Sequence, residues 1–232
     1  MNFGKRKVLT GFTSACALAC FAPIDSSAAV IVQYATAAGS PQSPVVVDSS
    51  VTADNLVAGS GLTALTFSTF NFSGWDTAST SFAAAVAAND FWTWGFDVTG
   101  LGAGETLDLT DFDIRLDRSG SGPDDVDIQV AVNGGTASTV FTHDYGDSSA
   151  GVNFLDIDLS AFTGLSNGDS VVFTLAAYNS ESSGGTFDLE TITFPGGNDA
   201  IVINGTVIPE PASLVLIGLG SLAMLSRRGK SA

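Results

Sequence analysis

Acyl-transfer chemistry needs a base beside its nucleophile, and this chain holds a single imidazole, His143, in VFTHDYGD. No serine sits in a GxSxG elbow and no second histidine completes a zinc-type ligand set. His143 therefore reads as a surface or turn residue. Paired carboxylates, which a glycosidase requires, are abundant. Asp111, Asp113, Asp156 and Asp158 each alternate with apolar residues, however, which makes them the wet faces of strands. No catalytic residue is assigned, and a secreted hydrolase ranks behind the readings below.

Two non-catalytic constellations remain. SGPDDVD sets Asp124, Asp125 and Asp127 at a loop-to-strand junction, and Ca²⁺ takes oxygen ligands, although the EF-hand spacing is missing. The expectation is no bound metal and no cofactor, with Ca²⁺ at this loop as the alternative. FWTWGF places Trp92, Trp94 and Phe96 on one strand face, downstream of Trp75. Such a row stacks on sugar rings in carbohydrate-binding sandwiches and, more commonly, fills a core.

The elements that would carry these residues are strands. In TDFDIRLD, Phe112, Ile114 and Leu116 point one way and Asp111, Asp113, Arg115 and Asp117 the other. DDVDIQVAV and FLDIDLS repeat the pattern, whereas SVVFTLAAY is apolar on both faces, as a covered central strand would be. GTFDLETITF shifts phase near Glu190, which suggests a bulge. NGG after Val132 marks a hairpin, and Asn204-Gly205 in the NGT triplet reads as a turn in preference to a glycan acceptor. Alanines in Thr77 to Asp90 predict one short helix. The fold class is all-β, a single antiparallel β-sandwich over residues 30–207.

Charge narrows the partners. Between Val30 and Val207 the chain has 22 acids and 2 bases, about −20 in net charge, which excludes a nucleic-acid partner. The other basic residues stand at the ends. Lys5, Arg6 and Lys7 precede an apolar run from Val8 to Phe21 and the small residues Ala28 and Ala29, where signal peptidase would cut. Residues 1–29 thus read as a signal peptide with a helical apolar stretch. Cys16 and Cys20 both fall inside it, so the mature chain has no disulfide. A lipoprotein use of Cys20 lacks the large aliphatic residue three positions upstream.

Residues 208–232 close with VIPEPASLVLIGLGSLAMLSRRGKSA, counted from Val207. Behind Pro209, Glu210 and Pro211 come 14 uncharged residues, Ala212 to Leu225, and then Arg227, Arg228 and Lys230. As a helix that run spans about 21 Å, short of the roughly 30 Å hydrocarbon core. It is a weak transmembrane helix, suited to a temporary stop, with the basic cluster held cytoplasmic and the PEP tripeptide at the outer interface.

In this order of parts the tail resembles the PEP-CTERM proteins of Gram-negative bacteria. The resemblance implies transient inner-membrane anchoring, recognition by an exosortase, cutting near Pro209 to Pro211, and delivery to the cell surface or an extracellular polysaccharide matrix. The body is similar, more loosely, to the anchor-type domain such proteins often carry, through Gly74-Trp75, ANDFWTWGFDV, RSGSGPDDVDI, VVFTLAAYNSESSGGTFDLETI and INGTV. That resemblance implies a jelly-roll-like sandwich with a structural or adhesive role in a biofilm. Thr174 stands where an arginine is expected, and Glu190-Thr191 where an Asp-Asn pair is usual.

Overall fold

A computed structural model describes residues 28–192 and 199–209. The signal segment up to residue 27, Glu210 and Pro211, the apolar run and the basic residues Arg227, Arg228 and Lys230 lie outside the described residues. Among the described residues, no helix is long and apolar enough to cross a membrane.

The chain order is β1 (Ala29–Ala35), β2 (Val46–Val47), β3 (Val51–Ala53), β4 (Val57–Ala58), β5 (Thr63–Ala64), β6 (Phe70–Ser73), α1 (Phe82–Ala88), β7 (Phe91–Val98), β8 (Thr106–Arg118), β9 (Pro123–Val132), β10 (Ser138–Asp144), β11 (Val152–Asp158), β12 (Ser170–Ser180), β13 (Phe187–Leu189) and β14 (Asp199–Ile208). These form two antiparallel sheets packed as a sandwich. The larger runs β2-β1-β14-β8-β13-β6-β5 with β11 also on β8; the smaller runs β10-β9-β12-β7-β3 with β4 also on β7.

Strand patterning explains the layers. Along β8, Leu107, Leu109, Phe112, Ile114 and Leu116 are buried and the intervening residues are partly exposed. The phase slips once, at Thr110-Asp111, opposite a register shift between Asn204 and Gly205 in β14. Asn204-Gly205 is therefore part of a central strand and not the turn the dipeptide suggests. Glycine is required there because a Cβ would stand 2.9 Å from the Asp108 carbonyl oxygen and 3.0 Å from Ile31. The phase shift near Glu190 is likewise not a bulge, since β13 stops at Leu189.

Two local expectations hold. Asn133 (φ 53) and Gly134 (φ 64) are both left-handed, and Gly135 N–H donates to the Val132 carbonyl at 2.9 Å, which closes a type I′ hairpin between β9 and β10. Helix α1 is shorter than the alanine content predicts. Ser81 caps it by accepting from Ala84 N–H at 3.3 Å, and Asn89 ends it at φ 65. It packs against β12, where outward-facing Ala176 is fully buried.

The core is aromatic. Trp92 of β7 meets Phe70 of β6 and Phe187 of β13 at centroid distances of 5.1 and 5.3 Å, crossing from one sheet to the other. Phe173 of β12 stacks on Trp94 at 5.4 Å and meets Phe112 of β8 at 5.7 Å. Replacing Trp92 by Ala should cost about 3–5 kcal/mol in urea denaturation, the range for deleting a buried aromatic side chain. Val172→Ala, at a residue 38% exposed on the outer face, should cost under about 1 kcal/mol. Equal losses would mean that the seam is not where the two sheets are held.

Candidate functional site

The PEP tripeptide begins directly behind the last described strand. β14 lies between β1 and β8, and its last residues, Val207 and Ile208, still pair with Leu107 and Thr106. Pro209 follows with no spacer, and proline, lacking an N–H, stops the ladder there. Ala29, at the expected signal-cleavage point, opens β1 and pairs with Gly205, with Ala28 just before it. The two expected processing points thus lie at the same end of one sheet. A cleft of about 410 Å³ lies beside this exit, between Thr206, Ile208, Asp108 and the Ser160–Thr163 turn.

The aromatic row is not a sugar platform. Trp92 and Trp94 are 0% and 1% exposed, because β7 turns that face toward the larger sheet. Neither indole N–H has a partner, and neither ring reaches the surface. Trp75 is also buried, its Nε1–H donating to the Phe72 carbonyl at 3.0 Å.

Nor do Asp124, Asp125 and Asp127 converge on one point. Asp124 pairs with the buried Arg118 guanidinium, whose Nε donates to the Ser119 carbonyl at 3.0 Å. Asp125 accepts from Asn179, and Asp127 from the Tyr178 hydroxyl at 3.1 Å. Each acid has its own clamp, which fixes the end of β9 to its neighbours.

The structure does bring three other carboxylates together. Oxygens of Asp111, Asp113 and Asp156 lie within 4.8 Å of one another, a grouping that alternation along two separate strands conceals. A register irregularity between Phe154 and Ile157 puts Asp156 at φ 54, and its N–H donates to Asp113 at 2.8 Å. Asn204 donates to Asp111 at 2.7 Å. Burial raises the Asp113 pKa above the usual carboxylate range, the Asp156 N–H opposes this, and the charges of Asp111 and Asp156 add to it. Asp158, by contrast, is exposed and held below that range by Ser160 hydrogen bonds.

His143 is in β10, not a turn, and is half-buried. Its ring lies 4.7 Å from Phe154 and 4.6 Å from Tyr145, closing one open side between the sheets. Burial lowers its pKa and Asp144 raises it in opposition. The two positions that depart from the anchor-type pattern are also accounted for. Thr174 pairs with Thr93 and Gln129, and Glu190 accepts from Arg115 Nε at 2.9 Å.

A buried polar pair went unmarked in the sequence. Asp188 of β13 stands opposite Asn71 of β6 and Asp117 of β8, and Asp188 and Asn71 are each 8% exposed. Burial pushes the Asp188 carboxyl up to about 7, with the charges of Asp117 and Glu190 adding and Thr69 and Arg115 opposing. An unfolded Asp titrates near about 3.9, so between those values the native state binds the extra proton and stability rises as pH falls. Asp188→Asn should flatten the stability gained on lowering pH from about 8 to 4, measured by urea denaturation against the parent. An unchanged pH slope would refute a raised Asp188. The His143 contribution has the opposite sign below about pH 6.5 and cancels in that comparison.

No curated protein matches the chain. One family model does, the PEP-CTERM protein-sorting motif, over residues 207–230. The match starts inside the last two residues of β14 and runs through Pro209, Glu210 and Pro211, the apolar stretch, Arg227, Arg228 and Lys230. Residues 207–230 thus match the PEP-CTERM protein-sorting motif, which implies export with a membrane-anchored sorting signal and an exosortase as partner, and the motif stands behind a β-sandwich body.

Proposed function

We propose that the body is a non-catalytic module with a structural or adhesive role at the cell surface or in an extracellular polysaccharide matrix. What supports this is that, apart from the Asp111, Asp113 and Asp156 group, the candidate ligand and base residues are tied up within the fold. The tryptophans are core, Asp124, Asp125 and Asp127 are clamps, and His143 is packed among aromatic rings. Export through a leader cut at Ala28 or Ala29, residues 30–207 as the body and 208–232 as a disposable tail complete the reading.

The tail's task is testable by fractionation. Glu210→Ala, or loss of Arg227 and Arg228, should leave the protein in the membrane fraction with its tail uncut. Release at the parent's level would refute the sorting reading.

Ca²⁺ separates the structural reading from a binding module. A structural module should keep its Tm within about 2 °C when Ca²⁺ or a polysaccharide is added, because a ligand present at 100 Kd would contribute about 2.7 kcal/mol. A larger rise with Ca²⁺ would overturn the non-binding reading, and Asp111, Asp113 and Asp156 would then be the first residues to replace.

A further inference from the structure

The position of β14 fixes which end of the body faces the membrane. Three residues, Pro209 to Pro211, separate Ile208 at the end of the sheet from Ala212 at the start of the apolar run, and fully extended they span only about 10 Å. The headgroup layer on one side of a bilayer is itself roughly 5–8 Å thick. A body tethered that closely rests against it.

Strand directions say which loops are at that end. β14 ends there at Ile208, β1 and β8 begin there at Ala29 and Thr106, and Leu107 bridges to Leu165. β7 leaves toward this end at Val98, pairing with Val51, and β12 enters from it at Ser170. The loops spanning 99–105 and 159–169 and the Asn133-Gly134 hairpin therefore share the pole with the exit. The turns at 119–122, 145–151 and 181–186 form the opposite pole.

We infer that the pole formed by residues 99–105 and 159–169 is apposed to the outer surface of the bilayer for as long as the sorting tail is uncut, while the opposite pole projects away. The inference rests on the sorting reading above. The apposition is enforced by the tether and not by attraction. Glu105, Asp108, Asp158 and Asp169 stand at or next to the membrane-facing pole, whereas Arg115 and Arg118 lie in the other half of β8. An acidic pole gains nothing from anionic headgroups, so cutting the tail removes the only force holding it there. The projecting pole is where a matrix partner would first meet the protein.

Single cysteines test this, after Cys16 and Cys20 of the leader are replaced by Ala. Ala103→Cys and Thr163→Cys report the membrane-facing pole; Ser149→Cys and Ser183→Cys report the other, and all four positions are exposed. In spheroplasts carrying the uncut Glu210→Ala precursor, a bulky membrane-impermeant maleimide should label the first pair several-fold more slowly than the second. The rates should become equal in the released protein. Inserting about ten Gly and Ser residues between Ile208 and Pro209, which reach roughly 17 Å, should restore labelling of the first pair. Equal rates in a membrane-held precursor, or protection that survives the spacer, would overturn the inference and leave sorting intact. A precursor absent from the membrane fraction would overturn both.

Discussion

The aromatic seam between the sheets is what the remaining structure depends on. Residues 30–207 contain no cysteine, so no disulfide joins the two layers. Trp92, Phe70 and Phe187 at one level, and Trp94, Phe173 and Phe112 at another, cross the gap in edge-on and stacked contacts. Each large ring buries an area worth several smaller side chains, and offset or edge-on pairs add to that burial. With the seam set, alternate residues of β8, β9 and β12 must face outward, save at the single slip at Thr110-Asp111. That rule places the acids before any of their own interactions is considered.

A body with so many carboxylates and two arginines must dispose of them, and it does so in two ways. Acids at the ends of strands and in loops act as turn clamps: Asp48 accepts from Ser50 N–H, Asp144 from Gly146, Asp158 from Ser160 and Asp169 from Ser166. Hydrogen bonds of this kind hold Asp76, Asp158 and Asp169 below the ordinary carboxylate range, so their charge is welcome. On the sheet faces the balance reverses, and burial raises Asp113, Asp117 and Asp188, as it does Asp90 in the connection from α1 to β7. The same residue type thus closes loops at the ends of strands and strains against its neighbours in their middle.

The sequence made strand faces and the Asn133-Gly134 turn legible and hid how the acids meet. Alternation along Asp111 to Asp117 identifies a half-buried strand because the period of two is a property of one segment. Asn133-Gly134 identifies its turn because both residues tolerate positive φ. The meeting of Asp156 with Asp111 and Asp113 depends on how β11 slips against β8, which neither strand encodes alone. Asn204-Gly205 misleads for the same reason. Its glycine answers a close approach from Asp108 and Ile31, and those contacts exist only once three strands are assembled. The row of tryptophans could be assigned to a strand face, but which face became the core was a property of the partner sheet.

The coupling of tail to body follows from β14 having neighbours on both sides. Its ladder to β8 runs to Ile208, so a cut beyond that residue removes no strand pairing and leaves the sandwich whole. A load applied at the cut end would pull along the strand axis. The ladder to β8 over Ile201–Ile208 and the ladder to β1 over Asp199–Gly205 would then have to shear together. An edge strand pulled from its end meets only one ladder. Placing the exit on an interior strand therefore serves both stages of the protein's life, the tethered precursor and the processed module.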